Sequence, residues 1–356
     1  VVDTALAQIS NAALVSAIML YGFAMLAYAC DFLYNRRRVP AAAPKAAARA
    51  KVAEAALVGA GGPDLADHNF GADPTDAAAQ LADLSQPSGS GGGGTVLAPR
   101  WPQGSWLRTA FVLTCLGLGM HLAAIVTRGL AEHRFPWGNM YEFISAITCA
   151  AVLILTLAAI KFRAYYMGLF VLLPVVVALA IDVAVIYTPA GAVAPALNSY
   201  WIAIHVTGMI IAIGMYIFGA VTTVLYLMAA RHERKVAAGE ESGLAGIMAQ
   251  LPSSAKLDQL AYRAILFAFP AWTFAVIAGA IWADHAWGRY WGWDPKETWS
   301  FIVWIVYAAF LHARATAGWR GRKAAYIQLF GFTCVLFNLV GVNLWITGLH
   351  SYAGLT

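Results

Sequence analysis

The segment Trp287-Gly288-Arg289-Tyr290-Trp291-Gly292-Trp293-Asp294-Pro295-Lys296-Glu297-Thr298-Trp299 packs four tryptophans and a tyrosine into thirteen residues, with an apolar run on either side. A stretch that only crossed a bilayer would be built from Leu, Ile and Val. Trp and Tyr do gather at membrane interfaces, but that accounts for a few aromatics at a helix end, not for this density or for the glycine spacing. Asp294 is placed as an N-cap, Pro295 suits the first helical position, and Glu297 completes an Asp-x-x-Glu capping box. A helix is therefore predicted to begin near Asp294 and to run on through Phe301 and Ile305. Capping alone is a sufficient role for Asp294 and Glu297, and on that reading Asn at 294 would serve as well. Gly288 and Gly292 leave room for a flat ligand to approach the backbone. The indoles would form an apolar platform that keeps its N–H donors.

Outside this stretch, composition sets the class. Of 356 residues, 61% are hydrophobic and 12% charged, and the mean hydropathy is +0.66. This is the balance of a polytopic membrane protein, not a soluble domain. Each span needs about 20 apolar residues. The candidates are 9–34, 107–128, 141–160, 166–186, 200–229, 260–283, 299–313 and 325–347. The expected fold is an all-α integral membrane bundle of about eight helices. Its basic clusters lie in alternate loops: Arg36-Arg37-Arg38, Lys161 with Arg163, Arg231 with Arg234 and Lys235, and Arg314 with Arg320, Arg322 and Lys323. The positive-inside rule places all of them in the cytoplasm. Both termini and the Trp-rich loop are then expected outside.

The first span has its arginines behind it and no basic segment ahead, so residues 1–35 read as a retained anchor, not a cleaved signal. Residues 36–105, rich in Ala, Pro and Gly, read as a disordered cytoplasmic linker. Residues 106–356 read as the functional membrane core, with the Trp-rich loop at 284–299. The four cysteines sit singly in apolar runs, as small core fillers do. Without C-x-x-C-H the chain itself has no c-type haem attachment site.

Trp-Gly-x-x-Trp-x-Trp-Asp-Pro-Lys-Glu-Thr-Trp resembles the WWD signature of haem-handling membrane proteins. Several other segments are similar to the ResC/CcsA-type subunit of the System II cytochrome c synthase. They are Phe135-Pro136-Trp137-Gly138-Asn139-Met140-Tyr141-Glu142, Trp201-Ile202-Ala203-Ile204-His205, Leu311-His312-Ala313-Arg314 and Gly348-Leu349-His350-Ser351-Tyr352. The resemblance implies cytochrome c biogenesis, with haem b as the bound substrate, attached to apocytochrome c by a haem lyase that works with a ResB/CcsB-like membrane subunit. The implied location is the bacterial plasma (inner) membrane, with the site on its outer face. Membrane lipid is the other expected partner, and nothing points to nucleic acid.

Histidine placement carries the site. His205, near the outer end of the fifth span, and His350, after the last, fall at the level of the Trp-rich loop on different segments, as bis-imidazole ligation of haem iron requires. Taken singly, either reads as structural. The resemblance makes them the axial ligands and the residues of the attachment step. His312 falls near the inner end of the seventh span, where an ionisable group is a functional candidate. The resemblance makes it a ligand of an inner haem on entry, and the alternative is an interfacial histidine bonded to a carbonyl. The cofactor-binding set is completed by Trp287, Arg289, Trp291, Trp293, Asp294 and Trp299. Arg128, Arg134, Arg289 and Lys296 are the outward cations available to haem propionates. His121, His133 and His285 stand outside the ligand set. The resemblance to the Trp-rich signature alone also allows a tetrapyrrole exporter without attachment activity, and a third reading is a b-type quinol-oxidising subunit. The latter usually pairs its histidines on one helix, which this chain does not do.

Overall fold

The computed structural model describes residues 2–34, 102, 104–197, 199–240, 245–248, 250–316 and 318–350. The predicted linker lies outside the described residues up to Trp101. The described helices belong to one compact unit, and no strand occurs among the described residues.

Eight helices are long and apolar enough to cross a membrane. They are α1 (Thr4–Tyr34), α2 (Ser105–Glu132), α3 (Met140–Phe162), α4 (Tyr165–Ile186), α5 (Tyr200–Ala237), α6 (Ser254–Trp287), α7 (Pro295–Ala315) and α8 (Arg322–Trp345). Each corresponds to one predicted span, the last of which, 325–347, runs two residues past the end of α8. The apolar runs underestimate α5 and α6, whose 38 and 34 residues carry polar ends beyond the apolar segment. The run at 299–313 also underestimates α7, because Pro295–Thr298 form a polar first turn below its apolar part.

α1 and α2 pack along their lengths, as do α5 and α6, and α3 lies between the two pairs. α3 supplies Val152 and Leu155 to one apolar cluster, with α1, α2 and α4. It supplies Ala146 and Ile147 to the other, with α5 to α8. In α5, 67% of the most apolar window is buried, against 17% in α7, so α7 lies at the bundle's edge. Close approach in the α1 pair depends on small residues: a Cβ at Gly117 would come within 2.7 Å of the Tyr21 ring.

Two π-helical turns interrupt this regularity. One, Asp182–Ile186, ends α4. The other, Phe337–Gly341, sits inside α8 and releases backbone carbonyls from the regular ladder. The start of α3, the start of α5, the end of α6, the start of α7 and the end of α8 converge at one end of the bundle, where the cavity described next is found.

Candidate functional site

α6 stops at Gly288, which adopts the left-handed conformation (φ 68°). α7 starts seven positions later with the capping box predicted from sequence. Glu297 Oε2 accepts from the backbone N–H groups of Asp294 (3.0 Å) and Gly292 (2.8 Å). Asp294 Oδ2 accepts from the Lys296 N–H at 3.2 Å. Between the caps, Trp293 holds φ 59°, a costly value for a bulky residue, and turns the chain into the N-cap.

Asp294 also reaches across to the end of α8. Its Oδ1 accepts from the Leu349 N–H at 2.6 Å, and its Oδ2 accepts from His350 Nδ1 at 2.7 Å. A Cβ on Gly348 would stand 2.6 Å from Oδ1, so glycine permits this approach. Burial pushes the Asp294 carboxyl up, but the His350 and Leu349 bonds outweigh it and hold the group below its ordinary value. Ionised, it only accepts, so His350 bears a proton on Nδ1, and the tautomer this selects has its lone pair on Nε2. His205 is fixed in the same way. Its Nδ1 donates to the Ala275 carbonyl at 2.7 Å, which leaves the lone pair on Nε2. A Cβ on Gly279 would lie 2.6 Å from that Nδ1, so α6 makes room for the ring at one position.

Both histidines line a single cavity of about 190 Å³. Trp282 joins them, with its ring stacked on His205 (6.2 Å, 10°) and 5.6 Å from His350. Trp291 lines the same cavity. Trp287 stands behind His350, edge-on to it at 4.9 Å. The remaining candidates lie elsewhere. Trp293 is 65% exposed and packs on Trp291 and Phe301. Trp299 packs 4.2 Å from Phe337. The Arg289 guanidinium folds over Gly292, 3.8 Å from Glu297. His312 is exposed near the opposite end of α7.

Two of the cations considered for propionates are committed inside the protein. Arg128 pairs with Glu132 (3.0 Å) and Glu142 (3.1 Å), and Arg134 pairs with both acids at 2.8 Å. Glu142 also accepts from the Gly138 N–H at 2.8 Å and so pins the loop that carries Trp137 into the cavity wall. Glu142, in the first turn of α3, thus does more than complement the helix dipole. His121 is buried between Tyr21 and Ser145. His133 is the left-handed C-cap of α2. His285 bonds its own helix at Ile281. Sequence reasoning missed Trp282, which resembles any aromatic near a helix end. The one signal available was its place three residues after Gly279, one turn along α6.

A family model described as "Cytochrome C assembly protein" matches residues 137–350, a range that includes the candidate ligands His205, His312 and His350 and the Trp-rich loop. The chain belongs to the cytochrome c assembly protein family. Its relatives there bear the name "Cytochrome c biogenesis protein CcsA". The one from Guillardia theta is 35% identical over 260 residues, covering 68% of this chain and 84% of that protein. The one from Gloeobacter violaceus is 33% identical over 310 residues, covering 70% and 91%. The one from Chlamydomonas reinhardtii is 42% identical over 163 residues, covering 46% and 43%. The ResC/CcsA-type resemblance is therefore borne out. Among solved structures, "Cytochrome c Heme Lyase CcmF" superposes with a TM-score of 0.57 at 16% identity. That match covers 94% of this chain but 46% of the CcmF chain, and at this identity it bears on the fold alone.

Proposed function

We propose that this membrane protein of cytochrome c assembly binds haem b in the His205–His350 cavity and presents it for covalent attachment to the C-x-x-C-H motif of an apocytochrome c. The observation that carries the reading is the convergence of His205 and His350 on one aromatic-walled cavity, each with Nδ1 held by an acceptor and Nε2 as the lone-pair nitrogen. Ligating histidines are commonly oriented by a carbonyl or carboxylate on the other nitrogen. Asp294 and the Ala275 carbonyl supply both kinds here.

In this role His205 and His350 hold the iron. Trp282 and Trp291 give the macrocycle an apolar wall, and Trp287 keeps His350 upright. Haem supplies vinyl groups, across which the cysteine S–H bonds of the apocytochrome add. The protein's contribution is proximity and orientation of two reactants. His312 is proposed as a ligand of a second haem at the other end of the bundle, with the remaining ligand from a ResB/CcsB-like subunit seated against the exposed edge of α7. The basic residues at the ends of α3, α5 and α7 favour a cytoplasmic position for that end. The cavity would then open on the outer face of a bacterial plasma membrane, with both chain termini on that side.

The test is purification of the chain with and without its partner subunit, followed by incubation with haem, a reductant and an apocytochrome carrying C-x-x-C-H. Haem that stays with the cytochrome after denaturation, formed only in the complex, supports the reading. Haem that crosses or binds without ever becoming covalent would favour an exporter instead.

A further inference from the structure

The cavity wall is not uniform. Most of it is aromatic and aliphatic, but on one side α7 and α8 turn Lys296, Glu297, Ser300 and Asn338 towards the space. Lys296 and Ser300 are four residues apart and share a helix face. Asn338 lies in the π-helical turn of α8, and its carbonyl accepts from Lys296 Nζ at 2.9 Å. Its amide nitrogen is 3.0 Å from Ser300 Oγ. The other amide atom, Oδ1, is buried without a partner, in a residue only 6% exposed.

Lys296 has hydrogen-bonding capacity to spare on this side. Lys296 has three donors, yet it meets one neutral carbonyl and is in no ion pair among the described residues. The two nearby acids are turned mainly to other donors, and Glu297, which lines the same cavity, keeps only Oε1 without a hydrogen-bond partner. Asp294 holds His350 and Leu349, and Glu297 faces Arg289 and receives two backbone N–H groups. An enclosed ammonium with unused donors and no carboxylate within ion-pair distance can take a further anion. Asn338 suits the same anion, because Ser300 can donate or accept. The amide can therefore reverse and turn its NH₂ to the cavity without losing its bond to the hydroxyl.

We propose that Lys296, with Ser300 and Asn338, seats one ionised carboxylate of the bound tetrapyrrole, and so sets which edge of the ligand lies against α7 and α8. This rests on the tetrapyrrole reading of the cavity. It assigns the anion-binding role to a lysine inside the helix that Asp294 caps, instead of to the loop arginines. The vinyl-bearing edge, remote from the carboxylates on a protoporphyrin, is then turned away from this seat.

The experiment titrates the full chain in detergent with iron protoporphyrin IX and, separately, with its dimethyl ester, which differs only in lacking the ionised carboxylates. Affinity is read from absorbance, and the axial ligation from the same spectra. Wild type should bind the acid about ten- to a hundredfold more tightly than the ester, as a charge-assisted bond provides. Lys296→Met should bring that ratio close to one while the bis-imidazole spectrum persists, and Lys296→Arg should restore part of the preference. Equal wild-type affinity for acid and ester overturns the inference without recourse to any variant. So does a preference that survives Lys296→Met. In both cases retained binding leaves the tetrapyrrole reading standing. Failure of wild type to bind either porphyrin overturns this inference together with that reading.

Discussion

Asp294 carries two tasks on one carboxylate. Its cap on α7 was legible because a cap is a local pattern, written in the residues that follow it. Its bond to His350 was not, because that partner lies 56 positions along the chain. The second task changes what substitution should do. Asn caps a helix nearly as well, but it offers one acceptor where Asp294 satisfies Leu349 and His350 on separate oxygens. Asp294→Asn should therefore keep the cap on α7 and the helical content, and lower the melting temperature only through the bond lost at the end of α8. It should loosen His350 and weaken haem binding by about 1.5–3 kcal/mol, the range for a hydrogen bond to a charged group. A thermal melt and a haem titration on the same preparation check both parts. The pH dependence has a definite sign. Because the Asp294 carboxyl lies below its ordinary value of 3.8, its contribution is fully present above that pH and is lost only as pH falls through the lower folded value. Hydrogen exchange at the Leu349 amide should thus stay protected down to the ordinary carboxylate range and rise only below it.

The helices were readable as apolar runs, but what they do to one another was not. All eight spans were found by length and hydropathy, because those properties belong to each helix alone. The π-helical turn of α8, the pairing of α5 with α6, and Trp282 between the two histidines follow from packing across the bundle, which leaves no period in the sequence. Gly279 illustrates the difference. In an isolated helix Ala is favoured over Gly by about 1 kcal/mol. Gly279→Ala should therefore leave helicity unchanged, yet displace the His205 ring that occupies the Cβ position. Circular dichroism together with a haem spectrum separates the two effects. The Arg128–Glu132–Arg134–Glu142 cluster makes the opposite prediction. Glu142 is 3% exposed and holds two arginines and the Gly138 backbone. Glu142→Gln should cost roughly 3–5 kcal/mol of stability, the penalty for breaking a buried ion pair, read as an earlier unfolding transition in denaturant.

Taken together, the bundle has two unlike ends. One gathers five helix termini around an aromatic cavity with two oriented imidazoles. The other carries the basic residues at the ends of α3, α5 and α7, with Arg314 held by Asp258 through two bonds of 2.8 Å and His312 exposed nearby. At roughly 1.5 Å per residue, α7 sets Asp294 and His312 on the order of 25 Å apart, beyond the reach of one porphyrin. Histidine positions along the spans made this separation legible. The choice of which tryptophans face the cavity was not legible, because a loop does not announce its inward side: Trp291 does, and Trp293 and Trp299 do not. A haem loaded into the cavity from solution should accordingly depend on His205 and His350 and be indifferent to His312. The decisive measurement is the absorption and magnetic circular dichroism of externally loaded haem in wild type, His205→Ala, His350→Ala and His312→Ala. Wild type and His312→Ala should give the low-spin bis-imidazole signature. Each of the other two variants should lose it and regain it in part with added imidazole. A low-spin bis-imidazole spectrum that persists in both His205→Ala and His350→Ala would contradict the account.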